Sequence, residues 1–365
     1  MSMGSLTYSG AGVDIDKASE AKDSFSRFVD VGDSRVLNRM GAFASLVDGS
    51  FPGYRDPVLV LKMEEPGSKQ RLAIQHGRVA SLCRDLVNHL VNDIVVMGAK
   101  PLFVQDTIVC GRIEKDTVCS IVKNLSEACR DQGCVLTGGE TSEQPGVVES
   151  GVYILVASIV GVVERSGIID GSRIKEGDTI LGLASNGLHT NGYSLVRRLI
   201  EKKPEILEED VDGETFLEAV LVPHHCYHHD LEGILNPPGT KGVDGVNVTD
   251  GVHGMAHITG GGIEQNLGRI IPDNLAAIVD LDEIDVLPVF EVIRRAGDIS
   301  EDEMMKTYNM GVGMCIVASE AATPAICRHL DQRGCPNYPI GTVAKRNGKT
   351  RVLFRGKLDW PRRVH

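Results

Sequence analysis

From residue 79 to residue 163 the chain alternates between two hydrophobic periods, and such a sequence buries its apolar groups best as helices laid on a sheet. Residues 79–97 place Val79, Leu82, Leu86, Val87, Leu90, Val91 and Ile94 on one broad helical face. Leu102 to Val109 reads as a strand and 116–131 as an amphipathic helix. Cys134 to Thr137 reads as a short strand running into Gly138-Gly139-Glu140, and 152–163 as a strand rich in β-branched residues. An earlier run, Val58 to Leu61, has the composition of a buried strand. Polar and glycine residues gather after Glu164, and the pattern restarts with a strand from Asp178 to Leu183. The expected class is therefore α/β or α+β. A chain of 365 residues usually forms two domains, expected here at 1–165 and 166–365. In the second, 192–202, 286–296 and 320–333 read as helices and 311–318 as a strand. The Pro- and Gly-dense stretch 236–254 reads as a surface excursion, and the basic tail from 345 as an edge strand with a frayed end.

Charge excludes some classes of function. With 38 Lys+Arg against 50 Asp+Glu the net charge is −12, which disfavours a general binder of nucleic acid or anionic membrane. No stretch approaches the ~18 apolar residues of a membrane span, and the N-terminal residues lack a secretory pattern. The 9 cysteines include no CxxC pair, so reduced thiols in a cytoplasmic protein are expected.

Several constellations could carry chemistry. Asp85, His89 and Asp93 recur every four residues and share a stripe of the 79–97 helix, either a solvated surface or the lining of a cleft. Glu64-Glu65-Pro66-Gly67-Ser68-Lys69 follows the first strand. It offers a carboxylate, free backbone and a lysine to a magnesium–phosphate unit, although it is also an ordinary turn. Gly138-Gly139-Glu140 lets a backbone approach a ligand beside a hard oxygen. Asn186 to Gly192, containing His189, Thr190 and Asn191, opens the helix that begins at Tyr193 and so presents free N–H groups to an anion. Thr259-Gly260-Gly261-Gly262, with His257 two residues before it, is the most specific local pattern for a phosphate cradle, because consecutive glycines weaken a chain unless close approach is required. The run His224 to His229 has metal-like i, i+4 pairs, but a polar helix face explains it better.

Together these segments resemble the aminoimidazole ribonucleotide (AIR) synthetase, or phosphoribosylformylglycinamidine cyclo-ligase, family. The matching stretches are AGVDID at 11–16, GAF at 41–43, DLVNHLVNDIVVMGAKPLF at 85–103 and LTGGETSEQPG at 136–146. DGSRIKEGD at 170–178, SNGLHTNGYSLVR at 185–197, AHITGGGIEQN at 256–266, YNMGVGM at 308–314 and YPIGTV at 338–343 follow in the family's order. The resemblance implies a two-domain ATPase fold whose N-terminal strands form a dimer barrel, with ATP and magnesium bound between the domains. It implies ring closure of formylglycinamidine ribonucleotide in a cytoplasmic homodimer of purine biosynthesis. By the same resemblance Glu64, Asp93, Asp106 and Glu140 hold metal, with Gly67, Ser68, Lys69, Gly138 and Gly139 at the nucleotide. Lys69, His189 and His257 are catalytic, and Gly41, Phe43, Thr190, Asn191, Gly192, Thr259, Gly260, Gly261 and Gly262 bind substrate. Two departures stand out. The family's TDGVGTK loop reads Met63 to Lys69 with Glu65 and Pro66, and a run that commonly carries an arginine reads Val222 to Tyr227 with His225. These leave room for an ATP-dependent relative with another small substrate, or for a non-catalytic nucleotide binder.

Overall fold

The structure, a computed structural model, describes residues 20, 24–25, 33–38, 42–235 and 248–361. The 11–16 stretch, Gly41 and residues 236–247 of the excursion lie outside them. The contacts divide the chain into two compact units. One comprises Met1–Tyr54, Leu59–Val91 and Pro101–Val162, the other Arg55–Val58, Asn92–Lys100 and Val163–His365.

The first unit is built mainly from β1 (Pro57–Glu64), α1 (Lys69–Gln75), α2 (Val79–Val95), β2 (Lys100–Cys110), α3 (Lys115–Asp131), β3 (Val135–Glu143) and β4 (Tyr153–Glu164), the end of α2 from Asn92 counting with the second unit. Its four strands lie in the order β1-β4-β2-β3. Helix α2 is buried without interruption from Asp85 to Asn92, so its ionisable stripe is no solvated surface and each member needs a partner. On α3, Val118, Ile121, Val122, Leu125 and Cys129 form the buried face that the sequence period foretells. Strand β3 runs on through Gly138-Gly139 to Glu143, well past Thr137, because it pairs in parallel with β2 as far as Cys110. Alternate residues of β1, by contrast, leave Leu59, Leu61 and Met63 exposed.

The second unit contains β5 (Thr179–Ala184), α4 (Tyr193–Lys202), α5 (Phe216–Leu221), β6 (Val252–His257), α6 (Gly262–Gly268), β7 (Leu275–Asp280), α7 (Pro288–Gly297), α8 (Glu301–Thr307), β8 (Val312–Ala318), α9 (Thr323–Gln332), β9 (Asn337–Lys345) and β10 (Val352–Arg355). Its six-stranded sheet runs β10-β7-β9-β5-β8-β6, with every residue of β8 buried between antiparallel neighbours β5 and β6. Two expectations change here. Residues 252–254 belong not to a surface excursion but to β6, which is buried throughout because its far side, too, must be covered once it pairs with β8. Residues 224–229 are not a helix face, since α5 stops at Leu221 and Pro223 comes just beyond its C-cap, Val222.

Candidate active site

In the second unit, three imidazoles converge below a glycine turn. Strand β6 ends at His257, whose Nδ1 lies 2.7 Å from Asp93 Oδ1 and whose Nε2 lies 2.9 Å from His224 Nε2. A carboxylate can only accept, so Nδ1 of His257 is the donor and Asp93 sets the ring's orientation. His189 stacks on His224 with centroids 3.9 Å apart and planes 19° apart. All three rings are buried.

The backbone explains how they meet. Asn92, wholly buried on α2, accepts from the Tyr227 N–H at 2.9 Å and donates to the His225 carbonyl at 2.8 Å, clamping the turn that aims His224 inward. Tyr227 donates its hydroxyl to the Ala184 carbonyl at 2.8 Å. His189 takes a left-handed φ of 61° in the loop between β5 and α4. Asn309 secures that loop by donating to the Gly187 carbonyl at 2.9 Å. Only glycine fits at 313, where a Cβ would sit 2.1 Å from Tyr227 Oη and 2.5 Å from His189 Cε1.

The turn Thr259–Gly262 is held by one side chain. Asn266 Nδ2 donates to the carbonyls of Thr259, Gly260 and Gly262 at 3.2, 3.2 and 2.8 Å. Gly262 has φ 61°, and a Cβ there would lie 1.9 Å from the Met305 carbonyl oxygen. Gly260 is exposed and close enough to Asn191 that a Cβ would stand 3.2 Å from its Oδ1. The loop bearing His189, Thr190, Asn191 and Gly192 therefore lies beside His224 and the glycine turn that follows His257. His224 and Asn92 join them without having been foreseen. Their signals were an Asn on an apolar helix face and a His directly after Pro223.

The first unit is arranged differently. Strand β1 ends at Glu64, whose carboxylate pairs with Lys62 Nζ at 2.7 Å and lies 3.9 Å from His89 Nε2. Gly67 turns the chain with φ 60° and Ser68 is the N-cap residue of α1. Lys69 is wholly buried, and its Nζ meets Asp85 Oδ1 at 2.8 Å. Burial pushes this ammonium's pKa down, and Asp85 opposes that shift. Asp106 pairs in register with Gly139, where a Cβ would come 2.2 Å from Asp106 Oδ1. Burial pushes the Asp106 carboxyl up to about 7. Gly138 lies against Ser45 Oγ, and Phe43 projects fully into solvent.

Family descriptions fit both units: "AIR synthase related protein, N-terminal domain" over residues 58–163 and its C-terminal counterpart over 240–353. A phosphoribosylformylglycinamidine cyclo-ligase of Aromatoleum aromaticum is 39% identical across 94% of this chain and 95% of its own. One of Burkholderia pseudomallei is 38% identical across 95% and 96%. The chain belongs to the AIR synthase family. Solved structures share the fold. E. coli HypE aligns with a TM-score of 0.64 at 15% identity, over 94% of this chain and 97% of that one. The hydrogenase maturation protein HypE in complex with ATP aligns with a TM-score of 0.60 at 17% identity, over 91% and 89%.

Against the expectations for an AIR synthase, three carboxylates stand apart from a shared metal site. Asp106 pairs with Gly139 while Glu140 pairs with Thr107, the next residue along β2, so their side chains leave opposite faces of the sheet. Asp93 is engaged by His257. Among the described residues, no trio of metal-type ligand atoms within 4.8 Å includes Glu64, Asp106 or Glu140. Lys69 likewise turns inward, because a fully buried ammonium needs a carboxylate partner. Asp106 is a buried carboxylate beside a strand glycine, and its raised pKa means that a cation there would have to displace a proton.

Proposed function

We propose that this AIR synthase is a phosphoribosylformylglycinamidine cyclo-ligase that closes the imidazole ring of its ribonucleotide substrate at the expense of ATP. The observation that carries this reading is the convergence of the Thr190-Asn191 loop and the Gly260–Gly262 turn over the Asp93–His257–His224 relay. The open backbone of Gly260 beside Asn191 suits the substrate phosphate, and the buried imidazoles suit proton transfer next to it.

The γ-phosphoryl group of ATP passes to the formyl amide oxygen, and ADP leaves. An internal amidine nitrogen attacks the formyl carbon, the carbon–oxygen bond breaks, and phosphate departs with that oxygen. The attacking nitrogen loses its proton, which His257 Nε2 can accept while Asp93 holds Nδ1. In the resting protein His224 Nε2–H, at 2.9 Å, donates to that same nitrogen, so it must turn aside as His257 takes the substrate's proton. Magnesium, when bound with the nucleotide, neutralises phosphate charge. Asp106 is the side chain best placed to help hold it, since magnesium usually takes one or two carboxylates plus substrate phosphates.

Leu59, Leu61 and Met63 line the outward face of β1, an edge strand of the four-stranded sheet, at 51%, 72% and 64% exposure. Such an edge invites pairing, which supports a homodimer joined through this sheet. No described helix is long and apolar enough to cross a membrane, and the reaction is assigned to the cytoplasm.

The test is ADP release measured with and without formylglycinamidine ribonucleotide. Release that depends on that compound supports the reading. Release without it, or with another small substrate only, sinks it. The departures at Glu65, Pro66 and His225 are what favour the second outcome.

A further inference from the structure

We propose that His225, Asp230 and Cys335 form a binding site for a borderline-soft divalent cation of the zinc class, separate from the proposed catalytic cluster. The three residues belong to the second unit and offer imidazole nitrogen, carboxylate oxygen and thiol sulfur within 4.8 Å of one another. His225 and Asp230 come from the turn that follows α5, and Cys335 from the link between α9 and β9.

Asp230 is the hub. Its Oδ2 lies 2.7 Å from His225 Nε2, and the Cys335 thiol also hydrogen-bonds to it. Two protons are thus directed at one carboxylate, the arrangement a cation replaces when it binds such ligands. Nearby groups fix the geometry. His329 Nε2 lies 3.2 Å from the Asp230 carbonyl, and the Cys335 N–H donates to the Leu330 carbonyl at 3.0 Å. The Cys335 side chain is buried, whereas that of His225 is 38% exposed and leaves a solvent-facing side for a fourth ligand, water. Mixed N, O and S donors select zinc over magnesium, which takes oxygen ligands. Cation binding would release the Cys335 thiol proton and leave His225 bound through Nε2 as the Nδ1–H tautomer.

The buried imidazoles do not compete on equal terms. The His189 and His224 planes are 19° apart with centroids separated by 3.9 Å, so both lone pairs cannot aim at one ion without a ring turning. The ion at His225 instead has a structural consequence. It ties the turn bearing His224 to the start of β9.

Chelator-stripped protein titrated with cobalt(II), a spectroscopic stand-in for zinc, tests this. One cobalt per chain should bind with a thiolate-to-cobalt absorption band. Cys335→Ser should abolish the band and weaken zinc binding by more than the ~10–100-fold typical of losing an outer-shell partner. His225→Ala, at a partly exposed position, should weaken zinc binding similarly in a protein with unchanged thermal unfolding when ion-free. Cys226→Ser and the double change His228→Ala/His229→Ala should leave both the band and the affinity intact. No band at saturating cobalt, or a band that survives Cys335→Ser or disappears with Cys226→Ser, overturns the site. Zinc binding lost only with His228 and His229 overturns it as well.

Discussion

The two units hold their polar groups in opposite ways. In the second, residues distant in sequence converge on each other: His189, His224 and His257 meet beneath a turn that a single Asn266 amide secures. In the first, each ionisable group is satisfied separately, Lys69 by Asp85, Glu64 by Lys62, and Asp106 by nothing more than backbone and burial. Neutral imidazoles can share a dry pocket at modest electrostatic cost, because each can both donate and accept. Carboxylates cannot do so without a cation, since like charges in low dielectric repel strongly. The polar groups of the second unit are therefore preassembled, and those of the first are separate anchors.

The largest expected effect tests the preassembled half. Asp93→Asn should cut substrate-dependent ADP release by roughly a hundred- to ten-thousand-fold, the range of a lost acid–base function. Raising magnesium decides between two roles for this residue. If Asp93 orients His257, as the 2.7 Å contact indicates, extra magnesium restores nothing. Recovery at high magnesium would mean that Asp93 is a metal ligand and that the contrast between the units is weaker than drawn.

Next comes the buried pair of the first unit. Lys69→Met removes the ammonium that faces Asp85 in a dry site and should cost about 3–5 kcal/mol in urea unfolding. Replacing both partners, Lys69→Met with Asp85→Leu, should recover most of that loss, since an apolar pair carries no desolvation penalty. ATP affinity of the double variant then sharpens the picture. Unchanged affinity makes Lys69 an anchor, whereas loss of binding in a stable protein gives it the phosphate contact that the family resemblance implies.

Asp106 supplies a pH dependence of the same unit. Its carboxyl is pushed from the ordinary 3.8 up to about 7, so the folded protein keeps a proton that the unfolded chain releases. Stability from this group is therefore present at acid pH and declines as pH rises from about 4 to about 7. Asp106→Asn should flatten that decline, by a few kcal/mol at most, in unfolding curves taken at pH 5 and pH 8. An unchanged slope would show that Asp106 is already compensated.

Much of this was legible in the sequence, and the failures have a common cause. Periodicity located α2, α3, β2 and β4 because their apolar residues repeat at the helix or strand interval, whereas composition located β1 but marked it as buried, and its alternate residues are exposed. It could not see β6, whose residues Val252 to His257 include two histidines and a glycine at the end of a glycine-rich stretch. Glycines at 260–262 mark a turn crowded by its own protein, since a Cβ at Gly262 would lie 1.9 Å from the Met305 carbonyl oxygen. His224 was missed since spacing alone cannot tell a helix from a turn held by Asn92, a residue 132 positions away. The opposite faces of Asp106 and Glu140 depend on a register irregularity next to Val104, which no local pattern records.

The smallest effect on the protomer, and the last contrast between the units, concerns β1. Leu61 is 72% exposed on an edge strand, while every residue of β6, the edge of the other sheet, is buried. An exposed side chain contributes little to its own unit's folding, so Leu61→Lys should change protomer stability by no more than ~0.5 kcal/mol. At an edge where a second copy pairs, however, a lysine brings like charges together and blocks apolar contact, the device natural edges use to prevent pairing. Sedimentation should therefore show a dimer for the wild type and a monomer for Leu61→Lys, with circular dichroism unchanged. A wild type already monomeric at micromolar concentration would refute pairing through β1. A Leu61→Lys dimer as tight as the wild type would move the interface elsewhere and leave the exposed stripe of Leu59, Leu61 and Met63 to some other contact.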